Sequence, residues 1–254
     1  MQKKPLEQYK QNMIERIGAY KTNSSLQKAA NVFFEEIGIG KADYVYNLFW
    51  LGVPILQIPQ DLQALQEIIW DVKPDLIIET GIAWGGSLLF SASMLAILEA
   101  CGVIENGHVL GIDIEIRPHN KEAISKHPLS KKITMFEGSS IDKNTIEYVR
   151  LFTKNYKRIM VCLDSNHTHD HVLSELEAYA PFVSMGSYCM VGDTVIEDAP
   201  QEMVSNRPWC KGNNPKTAVW EFLKTNDRFV VDKDIENKLL ITAAPDGYLR
   251  CVKD

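Results

Sequence analysis

Four carboxylates and one histidine hold the positions from which this sequence could do chemistry. Glu79, Asp113, Asp164 and Asp193 each stand at the end of a short apolar, β-prone run, and His167 follows Asp164 by three residues. In an open α/β sheet, the carboxyl ends of parallel strands form the rim where ligands bind. Asp164 and Asp193, on neighbouring tips, repel unless something positive lies between them. A hard divalent cation such as Mg²⁺, keeping several waters, answers that need. Zinc is an alternative, because His167, His169 and His171 cluster just beyond the strand, and a metal-free hydrogen-bond network is a third reading. His169 and His171 fall on the first turn of an expected helix, where a solvent-facing role is the simpler expectation. With an ordinary pKa near ~6.5, His167 suits a proton acceptor at neutral pH.

The stretch Asp75 to Ser87 reads as a buried strand, an acidic tip at Glu79 followed by Thr80, a glycine turn and a helix start. Gly81 permits a backbone conformation closed to other residues, Gly85 and Gly86 clear space for a bound molecule, and Ser87 can cap the helix. No Lys-Ser or Lys-Thr follows, which excludes a P-loop, and Gly-x-x-x-Gly-Gly is not the dinucleotide Gly-x-Gly-x-x-Gly. An acidic residue before the first glycine favours a ligand with hydrogen-bond donors or positive charge over a pyrophosphate. A purely structural turn accounts for the glycines as well. Asp113 can accept both hydroxyls of a ribose or simply cap a helix. Ser139, Ser140 and Asp142 could meet the amino group of a base, and helix capping explains them equally.

Positioning these groups requires alternating elements. The pattern predicts helices at about 6–17, 25–36 and 61–72, with an aromatic-rich extended segment over 44–58 forming one wall of the site. Strands are expected near 76–79, 108–114, 133–137, 158–164 and 187–192, separated by helices near 87–101, 121–126, 143–152 and 169–180. Such alternation specifies a doubly wound, mainly parallel sheet. A helix over 215–226 precedes strands at 229–232 and 239–243, joined by the polar Lys233 to Lys238, which predicts an antiparallel hairpin at the C-terminal edge. The expected architecture is therefore a seven-stranded α/β sheet plus N-terminal helices. Residues 1–60 form an extension and 61–254 the main domain. Trp209, Lys211, Asn213 and Asn214 lie in a stretch that is either a substrate lid or an ordinary loop.

At 254 residues, with 45% hydrophobic and 24% charged, the chain can bury a full core. Its net charge of -6 and scattered basic residues argue against a nucleic-acid partner. The polar, lysine-bearing first 20 residues carry no apolar h-region, so no signal peptide or membrane span is expected. The five cysteines, without Cys-x-x-Cys, read as reduced residues of a cytoplasmic protein. Amphipathic N-terminal helices allow a homo-oligomer.

Glu-Thr-Gly-x-x-x-Gly-Gly-Ser at 79–87, Arg117-Pro118-His119-Asn120, Gly138-Ser139-Ser140 and Asp164-Ser165-Asn166-His167-Thr168-His169 together resemble the cephalosporin-hydroxylase-like family. Despite its name, that family belongs to the class I S-adenosylmethionine-dependent O-methyltransferases, with a Rossmann-like fold. The resemblance runs from about Asn47 to Asp193. It implies methyl transfer to a hydroxyl of a sugar, other polar small molecule or glycan, assisted by a divalent cation such as Mg²⁺. It puts Glu79 and Gly81 beside the methionine moiety, with Thr80, Gly85 and Ser87 in the same loop. Asp113 falls on the ribose and Ser139 near the adenine. It makes Asp164 a metal ligand at the cofactor, Asp193 a second ligand and His167 the general base. The departure is at Gly192-Asp193, where relatives carry Glu-Asp. Water or substrate fills that position, Glu197 or Asp198 moves in, or the metal is weak or missing. Two other classes stay open: a metal-dependent oxygenase, and a cofactor-binding scaffold without turnover.

Overall fold

The computed structural model describes residues 5–200 and 206–254. The chain opens with α1 (Pro5–Thr22) and α2 (Ser24–Ile37), the latter capped by the Asn23 side chain, which accepts from the Leu26 amide. The aromatic-rich segment is not simply extended. It makes a 3₁₀ turn at Tyr44–Asn47 and then a small hairpin of β1 (Phe49–Trp50) and β2 (Val53–Pro54). Leu51 and Gly52, both at positive φ, turn that hairpin.

Helix α3 (Pro59–Val72) starts with proline at its first turn, where the missing N–H costs nothing, and buries Ala64, Leu65, Ile68 and Ile69. It leads into β3 (Leu76–Thr80) and then α4 (Gly86–Ala100), β4 (His108–Asp113), α5 (Pro118–Lys126) and β5 (Ile133–Glu137). The second half continues with α6 (Lys143–Thr153), β6 (Ile159–Leu163), α7 (His169–Tyr179), β7 (Tyr188–Val191) and α8 (Pro215–Thr225). It closes with β8 (Phe229–Val231), α9 (Lys233–Leu239) and β9 (Tyr248–Cys251).

The seven strands of the main sheet run in the order β5-β4-β3-β6-β7-β9-β8. β3, β4, β5, β6 and β7 are parallel, and β9 pairs antiparallel with β7 on one side and β8 on the other. The central strand β3 and its neighbour β6 are buried along their whole length, as a sheet covered on both faces demands. Two apolar layers result, one joining α3 and α4 to the sheet through Ile69, Leu95 and Ile77, the other joining α7 and α8 through Leu176, Val219 and Val161.

The seven-stranded α/β sheet with an antiparallel C-terminal pair is as expected, but one strand lies elsewhere. Leu239 to Ala243 is not a strand, and the polar connection expected before it is helix α9. Asp232 accepts from the Asp234 amide and starts that helix. The apolar run that follows finds other partners: Ile241 packs with Ala30 and Ile58, while Thr242 and Ala243 bond to Asp61. Tyr248–Cys251 then forms the last strand.

Candidate active site

The parallel register brings the strand tips into line. Glu79 pairs with Gly111 on one side and Cys162 on the other, so Asp113 and Asp164 each emerge two positions beyond those partners on the same rim. Gly81 has φ +88°, and a Cβ there would fall 2.1 Å from the Asp164 carbonyl oxygen. The glycine thus lets two loops touch. Gly86 does the same for the cover segment, since its missing Cβ would sit 2.3 Å from the Pro54 carbonyl, and Gly85 clears the Ile124 side chain. The room expected for a ligand at Gly85 and Gly86 is taken by protein.

Several expected contacts are redirected. Ser87 does not cap α4, whose N-cap is Gly85 in the left-handed region; its hydroxyl donates to Glu79 instead. Thr80 is fully buried, and its carbonyl accepts from the Asp164 amide at 3.0 Å. Asp113 accepts from the amides of Ile82 at 2.8 Å and Ala83 at 3.4 Å through one oxygen and from Glu115 through the other, so it braces the glycine loop. Asp142 caps α6, and Ser140 is buried with its hydroxyl 3.1 Å from His171 Nε2. Ser139 is partly exposed beside it.

Burial dominates the electrostatics. The Glu79 carboxyl is pushed up to about 8, chiefly because it is sealed from water and further because Asp164 is near; the Ser87 hydroxyl opposes the shift. Asp164 is held well above the usual carboxylate range, by burial first and then by Asp193, Glu175 and Asp61. Gln57, from the segment between β2 and α3, opposes this by donating its amide to Asp164 Oδ2 at 3.2 Å. Asp61 on α3 is likewise raised, mainly by burial, while it accepts from Thr242, Tyr248 and the Ala243 amide.

Asp164, His167 and Asp193 converge. Their donor atoms lie within 4.8 Å of one another, and among the described residues they are the one such cluster of three. His167 Nε2 is 3.4 Å from Asp193 Oδ2. Asp193 adopts a left-handed backbone, φ 52°, which turns its side chain at the strand end. Gly192 leaves space in front of Asp164, because a Cβ there would fall 2.5 Å from Oδ1. Neither alternative carboxylate enters that space. Glu197 accepts from the Gly212 amide and Asn214, and Asp198 pairs with Lys216 at 2.5 Å.

His169 and His171 do not face solvent. His169 bonds Thr217 through Nδ1 at 2.8 Å, and His171 Nε2 lies within reach of Ser140, Ser165 and the buried Glu175. Trp209 presents its ring to His167 at 4.7 Å between centroids, at 88°. Asn213 and Asn214 are structural: the first accepts from the His169 amide, and the second caps α8. Gln57, Glu175 and Asp61 carry no signal in the sequence, since each belongs to an ordinary helical or connecting pattern and acquires its place only through the fold.

Residues 42–252 match the family model described as rhamnosyl O-methyltransferase/CmcI. A rhamnosyl O-methyltransferase of Mycobacterium bovis is 30% identical over 215 residues, covering 81% of each chain. Among solved structures, CmcI with Mg and SAM is similar in fold, with a TM-score of 0.56, 20% identity, and coverage of 85% of this chain and 80% of that one. The apo structure of a TDP-rhamnose 3'-O-methyltransferase from calicheamicin biosynthesis matches with a TM-score of 0.53 and 16% identity, over 100% of this chain and 97% of that one. The chain belongs to the rhamnosyl O-methyltransferase/CmcI family and is a class I S-adenosylmethionine-dependent methyltransferase.

Proposed function

We propose that the protein transfers the methyl group of S-adenosylmethionine to a hydroxyl of a sugar, free or within a glycan precursor, with a divalent cation at Asp164 and Asp193. The observation that carries this reading is the convergence of Asp164, His167 and Asp193 within 4.8 Å on the rim beside the Glu79 loop. A rhamnosyl O-methyltransferase at 30% identity supports the sugar acceptor.

Each residue has a chemical task. Two facing carboxylates fit a hard dication, and Gly192 keeps the approach to Asp164 open. When bound, such an ion supplies Lewis acidity that lowers the pKa of an acceptor hydroxyl. His167 takes the hydroxyl proton on Nε2, with Asp193 beside it to stabilise the imidazolium. Trp209 packs perpendicular to the imidazole ring and offers an apolar wall to the acceptor. Glu79, ionised by the approach of a sulfonium, favours the charged cofactor over its neutral product. We assign Asp113 to the ribose and Ser139 to the adenine, with Thr80, Gly81, Gly85 and Ser87 shaping the loop between them. Residues 61–254 form the catalytic domain, and 1–60 its helical and covering extension.

Cys162, Cys189 and Cys251 are buried thiols, which supports a reducing compartment such as the cytoplasm. No helix among the described residues is long and apolar enough to cross a membrane. Leu6, Tyr9, Ile14, Val32 and Phe33 expose apolar surface on α1 and α2, which supports self-association. The deciding experiment measures S-adenosylhomocysteine formed with a panel of nucleotide sugars and rhamnosylated glycans, with and without EDTA. Formation with a sugar acceptor that EDTA stops and Mg²⁺ restores is expected; no product with any sugar overturns the acceptor class, and EDTA-insensitive turnover overturns the metal.

A further inference from the structure

We propose that Gln57 supplies, through its amide oxygen, the cation ligand that Gly192 does not provide. The proposal rests on the metal-assisted reading above and names the third protein ligand of that site.

The site is short of protein ligands. Two carboxylates, Asp164 and Asp193, are few anchors for a dication in competition with water. Among the described residues, the other nearby carboxylates are engaged elsewhere or set apart from this cluster. Asp61 accepts from Thr242, Tyr248 and the Ala243 amide; Glu175 accepts from Ser165 through one oxygen, and its other, buried and unpartnered, lies outside the cluster of donor atoms within 4.8 Å. Glu79 accepts from Ser87, Glu197 is held by Asn214 and Gly212, and Asp198 by Lys216. His167 is required as a free base.

Among the described residues, Gln57 is the side chain that hydrogen-bonds the Asp164 carboxylate. Its amide end lies 3.2 Å from Asp164 Oδ2, reached across 107 positions of sequence. Neighbouring oxygens around a six-coordinate cation with bonds of about 2.1 Å stand roughly 3 Å apart, so this separation suits two ligands of one ion. An amide carries a donor and an acceptor at equivalent places, exchanged by a half-turn of its last bond. Facing a bare carboxylate, the nitrogen end is preferred because it donates. Facing a cation beside that carboxylate, the oxygen end is preferred, and the same side chain serves both states without moving its stem.

The fold holds that stem firmly. Ile55 and Ile58, on either side, are buried at 1% and 6% exposure, and the Pro54–Ile55 backbone sits in the notch left by Gly86. The covering segment is therefore anchored on α4 close to Gln57, and it closes the site with a neutral ligand. A neutral amide also leaves the charge of Asp164 and Asp193 matched to one dication, so a carboxylate at position 57 should bind the ion more tightly.

Mn²⁺ binding to the full chain, followed by electron paramagnetic resonance of the free ion, tests this without turnover. Loss of a direct ligand should cost at least the roughly tenfold typical of outer-shell partners, so Gln57→Ala is expected to weaken Mn²⁺ about tenfold or more. S-adenosylhomocysteine affinity should stay within about twofold in the same variant, reporting an intact fold. Gln57→Glu decides between the two ends of the amide, because glutamate has the oxygen and lacks the N–H. Binding at least as tight as the parent supports ligation. Weakening equal to that of Gln57→Ala makes Gln57 a mere donor to Asp164 and overturns the proposal, as does parent-like binding by Gln57→Ala. No Mn²⁺ binding by the parent chain removes the metal reading itself, and the inference with it.

Discussion

His167 Nε2 stands 3.4 Å from Asp193 Oδ2, and the imidazole is 18% exposed while the carboxylate is 45% exposed. The base is thus sheltered and its partner reachable, the order required if an acceptor and an ion are to enter from the Asp193 side. His167→Ala should lower kcat by about 10²–10⁴-fold. S-adenosylhomocysteine binding, measured by calorimetry, should be unchanged. A parental rate in that variant would remove His167 as the base.

Glu79 gives a pH dependence with a definite sign. Its folded value of about 8 lies above the ordinary 4.5, so its contribution to stability is complete below pH about 4.5 and is lost as pH rises through about 8. The melting temperature of the cofactor-free protein should therefore fall across that window. Glu79→Gln, which keeps an acceptor for Ser87 and cannot ionise, should flatten the fall. Equal pH slopes in the two proteins would show that the sealed carboxyl is not what the fold feels.

Gly192→Ala separates stability from metal binding. The new Cβ would meet the Asp164 carboxylate, the mobile end of a side chain, so rotation of that group relieves the clash at about 1 kcal/mol, the low end for overpacking. Rotation nonetheless reorients the carboxylate that is to hold the ion. Urea unfolding should move little while Mn²⁺ affinity drops several-fold, and unchanged Mn²⁺ affinity would mean that the notch at Gly192 is irrelevant to the ion.

Asp61→Asn tests the support behind the rim. One carboxylate oxygen takes Thr242 and Tyr248 and the other takes the Ala243 amide. An asparagine that keeps its oxygen on the Ala243 amide turns its NH2 to Thr242 and Tyr248, so both hydroxyls lose the acceptor they donate to, a loss of about 1–3 kcal/mol. Urea denaturation reads it directly; a stability equal to the parent would mean that Asp61 is protonated and already shares its bonds in that pattern.

The parallel part of the sheet was legible because two-sided burial leaves a plain mark: runs such as Leu76 to Ile78 and Met160 to Leu163, each followed by a polar tip. Asp164, His167 and Asp193 were legible for the same reason, as chemistry at the ends of such runs. The Leu239 to Ala243 segment misled because an apolar run can be buried without a strand partner. Asp61, 181 residues from Thr242, supplies the bond that a neighbouring strand would have given. A serine at a helix start usually caps it, yet the Ser87 hydroxyl meets the Glu79 carboxylate across the turn and donates there. Gln57 could not be found at all from its neighbours, since only the docking of the hairpin on Gly86 brings it to Asp164.

The position of β9 between β7 and β8 also orders the making of the protein. A nascent chain stalled before Tyr248 would present two strands with a gap one strand wide between them, and Asp61 would wait without one of its partners. The rim that carries Asp193 acquires its final neighbour only once Tyr248 to Cys251 have been made, so the strands synthesised before them cannot close the sheet behind the site on their own.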